Sequence, residues 1–357
     1  MTTTPAFAAN LIRTALPAFA SAVHARLESE APELLAALPR TFAASKDDVR
    51  VRLLHLAAAI EFDRPALIEH AVQWYAVALH HRGVPADYLR HSLEAIDAVL
   101  AAELPAAARS IVHRHVRAAV AAIAGAELDP PACIDIDAPH GRLAASFLLA
   151  ALESRGDDAV ALIRQELDQG LAIAELHDRV LVPVLRETGR MWLTAEIQIA
   201  DEHYSSQIVE RVIWVAQDRL PRVPADAPVV LAMGAAGDQH GFGLRMIAQR
   251  LQGDGFAVHN LGPDMPAGDL AGALQDRAFD IVAVGATMTL HLHALAGLVE
   301  ELRRLLRPGV PIVVGGQPFA IVPDLSARLG ADAAAVDGGS ASAVVSRLLG
   351  RPPRAGA

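Results

Sequence analysis

The hydrophobic period of this chain changes near residue 228, and that change constrains the fold more than any other feature. From there, five short β-rich runs, VVLAMG, FAVHNLG, FDIVAVG, VPIVVGG and ADAAAV, are each followed by a helix-period stretch. Parallel strands cannot be joined by a tight turn; they need a crossover, and the intervening helices supply it. The pattern predicts a doubly wound, five-stranded parallel sheet over residues 223–350, with RPPRAGA as a frayed tail. In such sheets ligands bind beyond the carboxyl ends of the strands. Those ends are therefore where chemistry is sought.

Upstream, the period is helical. Residues 141–222 carry four helix-length segments with breaks near Gly156, Gly170 and Gly189, which predicts a four-helix bundle. Residues 128–140 hold three prolines and several acids and read as a linker. Before them, apolar residues recur at three and four, as in Val49, Leu53, Leu56, Ala59 and Ile60. Prolines punctuate this region, and Pro65, Pro85 and Pro105 suit the first turns of helices. Six helices are expected, near 6–28, 32–43, 47–61, 65–81, 86–102 and 106–124, forming a helical domain over 1–127.

Length and charge narrow the function. The 357 residues leave room for two or three domains, and alanine is the largest part of the 53% hydrophobic share. No apolar run is long and unbroken enough to predict a membrane span. The N-terminus lacks the basic and apolar regions of a signal peptide, so the cytoplasm is expected. A net charge of −10 argues against nucleic acid as a partner, since a nucleic-acid groove needs a basic face. The single cysteine, Cys133, excludes an internal disulfide or a cysteine metal cluster. Histidine is the unusual residue: fifteen are present, eight of them before residue 130.

The first strand ends in Gly237-Asp238-Gln239-His240-Gly241-Phe242-Gly243. This is not the G-x-G-x-x-G of a dinucleotide turn, because Asp and His occupy the positions that turn requires. It offers instead an imidazole two residues after a carboxylate. A metal-ligating histidine needs a neutral ring, and a neighbouring carboxylate that fixes the tautomer and raises basicity. The glycines let backbone approach a large flat ligand. One histidine suits a metal whose other ligands come from a macrocycle.

This stretch resembles the D-x-H-x-x-G signature of cobalamin-binding domains of flavodoxin-like fold. The resemblance implies that His240 is the lower axial ligand of cobalt, with Asp238 and Gly243 completing the motif. Two further pieces stand where that family has them. The third strand ends Gly285-Ala286-Thr287-Met288-Thr289-Leu290, similar to the family's S-x-T or S-x-L with Thr287 in place of the serine, so that Thr287 and Thr289 are implied near the cofactor's benzimidazole tail. The fourth ends Gly315-Gly316-Gln317, matching a pair of glycines that leaves room for the tail.

Residues 189–203 contain Gly189, Trp192, Glu202 and His203 in the spacing G-x-x-W-x9-E-H. This resembles the helical cap of light-sensing adenosylcobalamin proteins of the CarH type. It implies Trp192 over the adenosyl group, and Glu202 and His203 on the upper, light-labile face. An aromatic face and a carboxylate form a sensible nucleoside receptor: one stacks, the other accepts ribose hydroxyls. The chain departs from the family at Leu193, where CarH-type proteins carry a histidine; His203 is the nearest imidazole. It also lacks the basic recognition helix of their DNA-binding domain.

The N-terminal helices resemble globin-like sensor domains. The stretch from His70 to His91 concentrates aromatic, imidazole and guanidinium groups, among them Trp74, Tyr75, His81, Tyr88, Arg90 and His91. A linear tetrapyrrole needs such a mixture of walls, lactam donors and propionate cations. The whole layout resembles the photocobilins, which bind cobalamin and biliverdin. It implies a non-enzymatic photoreceptor with a non-covalent bilin, light-dependent homo-oligomers and a separate effector. Haem is the alternative N-terminal ligand. For the whole chain the alternatives are a corrinoid methyl carrier and a cobalamin-binding interaction module without photochemistry.

Overall fold

The computed structural model describes residues 4–39, 46–274 and 277–351. The chain divides into two compact units. The first holds residues 1–129 with two later segments, 288–293 and 320–328; the second holds the rest.

The first unit is helical: α1 (Thr4–Thr14), α2 (Leu16–Glu30), α3 (Pro32–Ala36), α4 (Lys46–Glu61), α5 (Pro65–His81), α6 (Asp87–Glu103) and α7 (Ala106–Ala122). The single helix expected over 6–28 is two, bent by 78° between α1 and α2. Pro17 explains it, since its ring cannot sit behind a continuous i−4 carbonyl ladder. The helix expected over 32–43 is helical from Pro32 to Ala36, and its residues 40–43 lie outside the described residues. Pro65 opens α5 as anticipated. α4 is the central element, packing on α1, α2, α5 and α7 through Leu53, Leu56, Ala57 and Ile60, all sealed from solvent. The later segments join through specific pairs: His293 Nδ1 lies 2.9 Å from Glu61, which also takes Arg13 at 2.8 Å. Arg64 pairs with Asp324.

The second unit begins with the linker, whose Cys133 amide donates to Glu187 Oε2 at 2.5 Å. The bundle follows: α8 (Gly141–Leu152), α9 (Gly156–Asp168), the short α10 (Ile173–Glu175), a π-helical turn at Leu176–Leu181, α11 (Val182–Leu193) and α12 (Ile199–Gln217). The break expected at Gly189 is not there. α11 runs through that glycine, and the chain turns after Thr194, where Ala195 takes a φ of 58°. A single helical glycine costs only about 1 kcal/mol against alanine, less than the apolar face of α11 returns. The core is built on Phe147, Ile163, Leu176, Val184 and Val212.

The five expected strands are all present: β1 (Val229–Gly234), β2 (Ala257–Asn260), β3 (Ile281–Gly285), β4 (Ile312–Gly315) and β5 (Ala333–Ala335). Every pairing is parallel, in the order β2-β1-β3-β4-β5. The crossovers carry α13 (Phe242–Gly253), α14 (Leu270–Leu274), α15 (Leu292–Leu305), α16 (Gln317–Ile321) and α17 (Leu325–Arg328), and α18 (Gly338–Leu348) closes the chain. The strand order reverses direction between β1 and β3, and sheets of this kind bind ligands beyond the carboxyl ends at such a switch point. Among the described residues no single helix is long and apolar enough to cross a membrane.

Candidate functional site

Beyond β1 the chain leaves the sheet at Ala235 and reaches α13 at Phe242, and this loop carries the motif. Asp238 is buried, and its carboxylate organises what surrounds it. Oδ1 accepts the His240 amide at 3.1 Å and the ring Nδ1 at 2.8 Å. Oδ2 accepts the Thr287 amide, at the end of β3, at 2.5 Å. A carboxylate only accepts, so in the neutral ring Nδ1 carries the proton and Nε2 keeps its lone pair. Hydrogen bonding to Asp238 raises the His240 pKa; burial opposes this, and the charges of Asp238 and Glu202 add to the rise. Glu202, on the first turn of α12, thus acts electrostatically on His240 although 38 residues separate them in sequence.

A metal held through one imidazole and otherwise by a macrocycle fits this donor set. The lone pair is presented on a ring whose orientation Asp238 fixes, and the side chain is 57% exposed. Gly243 stands in open space: a Cβ there would meet nothing within 4 Å. Among the described residues no group of three or more His, Cys, Asp or Glu is placed to make a protein-only metal cage.

The remaining expected residues fall out as follows. Thr287 contributes its backbone amide to Asp238, a role its side chain does not reveal. Thr289 is buried in a short turn that groups with the N-terminal helices. The glycine pair is demanded by backbone. A Cβ on Gly316 (φ 119°) would stand 2.0 Å from the Ala286 carbonyl, and one on Gly315 would stand 2.9 Å from that of Ala335. Trp192 is half-buried near the end of α11. Glu202 Oε2 lies 2.5 Å from His203 Nδ1, and Ser206 donates to Oε1 at 2.9 Å. The His203 side chain is 72% exposed.

The bundle is held against α13, the helix that leaves the His240 loop. His177, on the π-helical turn, donates from Nε2 to Gln249 Oε1 at 2.9 Å; Gln249 in turn donates to the Ile213 carbonyl at 2.7 Å and to Gln217 at 3.1 Å. Arg250 pairs with Asp178 at 2.6 Å, and Arg245 with Glu210. Met246 enters the bundle's apolar core.

In the N-terminal unit, Tyr75 and Tyr88 meet around Arg52, whose guanidinium lies 5.9 and 5.5 Å from the two ring centres. Tyr88 donates to Asp48 at 3.1 Å and accepts from Arg52 at 3.4 Å, while Arg52 also pairs with Asp48. Trp74 packs edge-on to Tyr75. The other three residues of the expected bilin set are not gathered there. His81 contacts the Leu128 carbonyl at 2.8 Å, Arg90 pairs with Asp87 and Glu94, and His91 contacts the Asp87 carbonyl at 2.9 Å. Arg52 was not anticipated, although it stands three residues after Val49 on the apolar stripe of α4.

Residues 228–345 match a family model described as a B12 binding domain, and residues 143–216 match a second model of the same description. The HTH-type transcriptional repressor CarA of Myxococcus xanthus is 27% identical over 195 residues, 55% of this chain and 64% of that protein. CarH of the same organism is 29% identical over 184 residues, 50% of this chain and 59% of that protein. The chain thus spans about three-fifths of the length of these two relatives. Dimethylamine corrinoid protein 3 of Methanosarcina acetivorans is 28% identical over 170 residues, 47% of this chain and 76% of that protein. In fold, the monomethylamine corrinoid protein of Methanosarcina barkeri covers 59% of this chain with all of its own length, at a TM-score of 0.51 and 20% identity. Fold, site and family matches together define a cobalamin-binding protein.

Proposed function

We propose that this protein is a light sensor, a non-enzymatic receptor that holds adenosylcobalamin between bundle and sheet. Bound there, the cofactor supplies a light-labile cobalt–carbon bond. His240 would hold the cobalt through its second ring nitrogen, with Asp238 fixing the tautomer. Thr287, Gly315 and Gly316 would flank the tail. Trp192 stacks on adenine, Glu202 accepts ribose hydroxyls, and His203 stands on the upper face. In this reading Trp192, Glu202 and His203 would hold the adenosyl group when it is bound and lose that contact when it is not. The bundle then moves against α13, and the change of surface alters the homo-oligomer and its contact with a cytoplasmic effector. Biliverdin is the second chromophore, in the N-terminal helices near Trp74, Tyr75 and Tyr88. The observation that carries the reading is the Asp238–His240 pair, which presents one imidazole lone pair at a strand end with the Glu202 charge acting on it. The resemblance of Trp192, Glu202 and His203 to the CarH-type cap favours an adenosylcobalamin sensor among cobalamin-binding proteins, and the similarity to CarA and CarH is in keeping with it.

A corrinoid methyl carrier is the second reading. It is favoured by coverage: the chain matches 91% of the length of dimethylamine corrinoid protein 1 of Methanosarcina acetivorans, against 64% of CarA. Dark reconstitution with adenosylcobalamin and with methylcobalamin, followed by gel filtration before and after green light, separates them. The sensor prefers the adenosyl form and changes elution volume on illumination. Equal affinity and an unchanged elution volume would overturn the sensor. Biliverdin added to the same samples is expected to give a red-shifted band that acid denaturation releases.

A further inference from the structure

The loop that presents His240 is bracketed from both neighbouring strand ends. From β3 comes the Thr287 amide on Asp238. From β2 comes a turn, Gly262-Pro263-Asp264, that presses on the loop from the other side. The Gly234 amide donates to the Gly262 carbonyl, and the Met265 amide to the Gly234 carbonyl, each at 2.9 Å. A Cβ on Gly234 would stand 3.0 Å from Pro263 Cα, and one on Gly241 3.3 Å from Pro263 Cγ. At the tip of the turn Asp264 takes a φ of 59°, in the left-handed region that Asp and Asn tolerate better than other non-glycine residues. Its carboxylate reaches across to the loop. Oδ1 accepts the amide of Gly237, itself at φ 83°, at 2.7 Å, and Oδ2 accepts the Gln239 side-chain amide at 2.8 Å.

We infer that Asp264 is a positioning residue for the axial ligand: its carboxylate clamps Gly237 and Gln239 and so fixes the approach of the His240 imidazole. The inference rests on the cobalamin reading of this loop. One residue on each side of Asp238 is held by a single carboxylate from the turn after β2, so the loop cannot swing about Gly237 without breaking both bonds. An unclamped loop spends part of its time with the imidazole misdirected, and a ligand that needs one orientation binds more weakly by that fraction.

Three proteins test it: wild type, Asp264→Gly and Asp264→Asn. Glycine keeps the left-handed backbone and removes the clamp. Asparagine tolerates the same φ, keeps an oxygen for the Gly237 amide, and offers an NH2 to Gln239 once that side chain flips. The first readout is amide hydrogen exchange of the 235–243 segment in the cofactor-free chain. It is expected to quicken about tenfold in Asp264→Gly, the factor for one charge-assisted hydrogen bond, and to recover in Asp264→Asn. The second is titration with hydroxocobalamin, scored by the histidine-ligated absorption spectrum. Asp264→Gly should bind about tenfold more weakly with less of the histidine-ligated form, and Asp264→Asn should be close to wild type. Unchanged exchange in Asp264→Gly, or an Asp264→Asn protein no better than Asp264→Gly, overturns the clamp. Wild-type protein that does not bind hydroxocobalamin overturns the cobalamin reading and with it the role in ligation, while the exchange rates still decide the clamp itself.

Discussion

Each unit of this protein is organised around an acid holding a base, and the two arrangements point in opposite directions. In the second unit Asp238 is 3% exposed and spends its oxygens on His240 and Thr287, leaving an imidazole that is 57% exposed with a free lone pair. In the first, Arg52 is fully enclosed beside Asp48, Tyr75 and Tyr88, and its Nε and Nη1 have no hydrogen-bond partner among the described residues. The strand-end pair turns its unused atom outward, where a ligand can take it. The helical pair turns its unused atoms into the core, where they cost stability unless something polar is admitted. Exposure of the unspent atom, rather than the presence of an ion pair, distinguishes a binding arrangement from a structural one.

The largest expected effect tests that distinction. Arg52→Ala leaves the Asp48 carboxylate and the Tyr88 hydroxyl without their cation and should destabilise the N-terminal unit by about 3–5 kcal/mol. His240→Ala removes a more than half-exposed ring and should change stability by no more than about 0.5 kcal/mol, while abolishing the histidine-ligated spectrum. Urea unfolding of the full chain measures both. Similar losses for the two variants would break the comparison.

Acid should affect both units alike. His55 in α4 is pushed down to about 4 by burial, with His291 and His70 adding repulsion, and His177 is pushed down to about 4 by burial against its bond to Gln249. Each is neutral in the folded chain and binds a proton on unfolding below its ordinary value near 6.5. The unfolded state therefore holds more protons between pH 6.5 and 4, and stability falls as pH falls through that window. The loss is on the order of 3 kcal/mol per histidine at pH 4. His55→Gln and His177→Gln should each flatten the profile of urea midpoint against pH. A wild-type midpoint that does not move over this range would show that neither imidazole is kept neutral by burial.

What was legible in the sequence follows the range of the interactions. The strands were legible because a parallel sheet buried on both faces writes continuous apolar runs, as in Ile281–Gly285 and Ile312–Gly315. Asp238 and His240 were legible because the bond between them spans two residues. Asp264 was not: it meets Gly237 only because β1 and β2 pair in a register that brings the two loops side by side. Arg52 left a trace, a charge on the stripe of Val49, Leu53 and Leu56, but its partners come from α5 and α6, and helical periodicity says nothing about which helices meet. Gly315 and Gly316 were found for one reason and are held by another. A ligand's tail and a neighbouring carbonyl exclude a Cβ equally, and the sequence does not distinguish them.

The smallest expected effect sharpens the outward-facing side of the comparison. Trp192 stands on α11, in the same unit as His240, and is half-buried. If its indole receives adenine, Trp192→Ala removes one stacking face, on the order of 1–3 kcal/mol for one base on one aromatic. Only adenosylcobalamin carries adenine, so its affinity should fall while that for methylcobalamin holds. If the indole only fills the bundle, its loss creates a void whose cost the two cofactors share. Paired titrations of wild type and Trp192→Ala with both cobalamins in the dark separate these outcomes, because the fold's own response cancels in the ratio of the two affinities. A ratio shifted by tenfold or more places an adenine receptor opposite the His240 loop. An unchanged ratio makes Trp192 a bundle residue and moves the balance toward the methyl carrier.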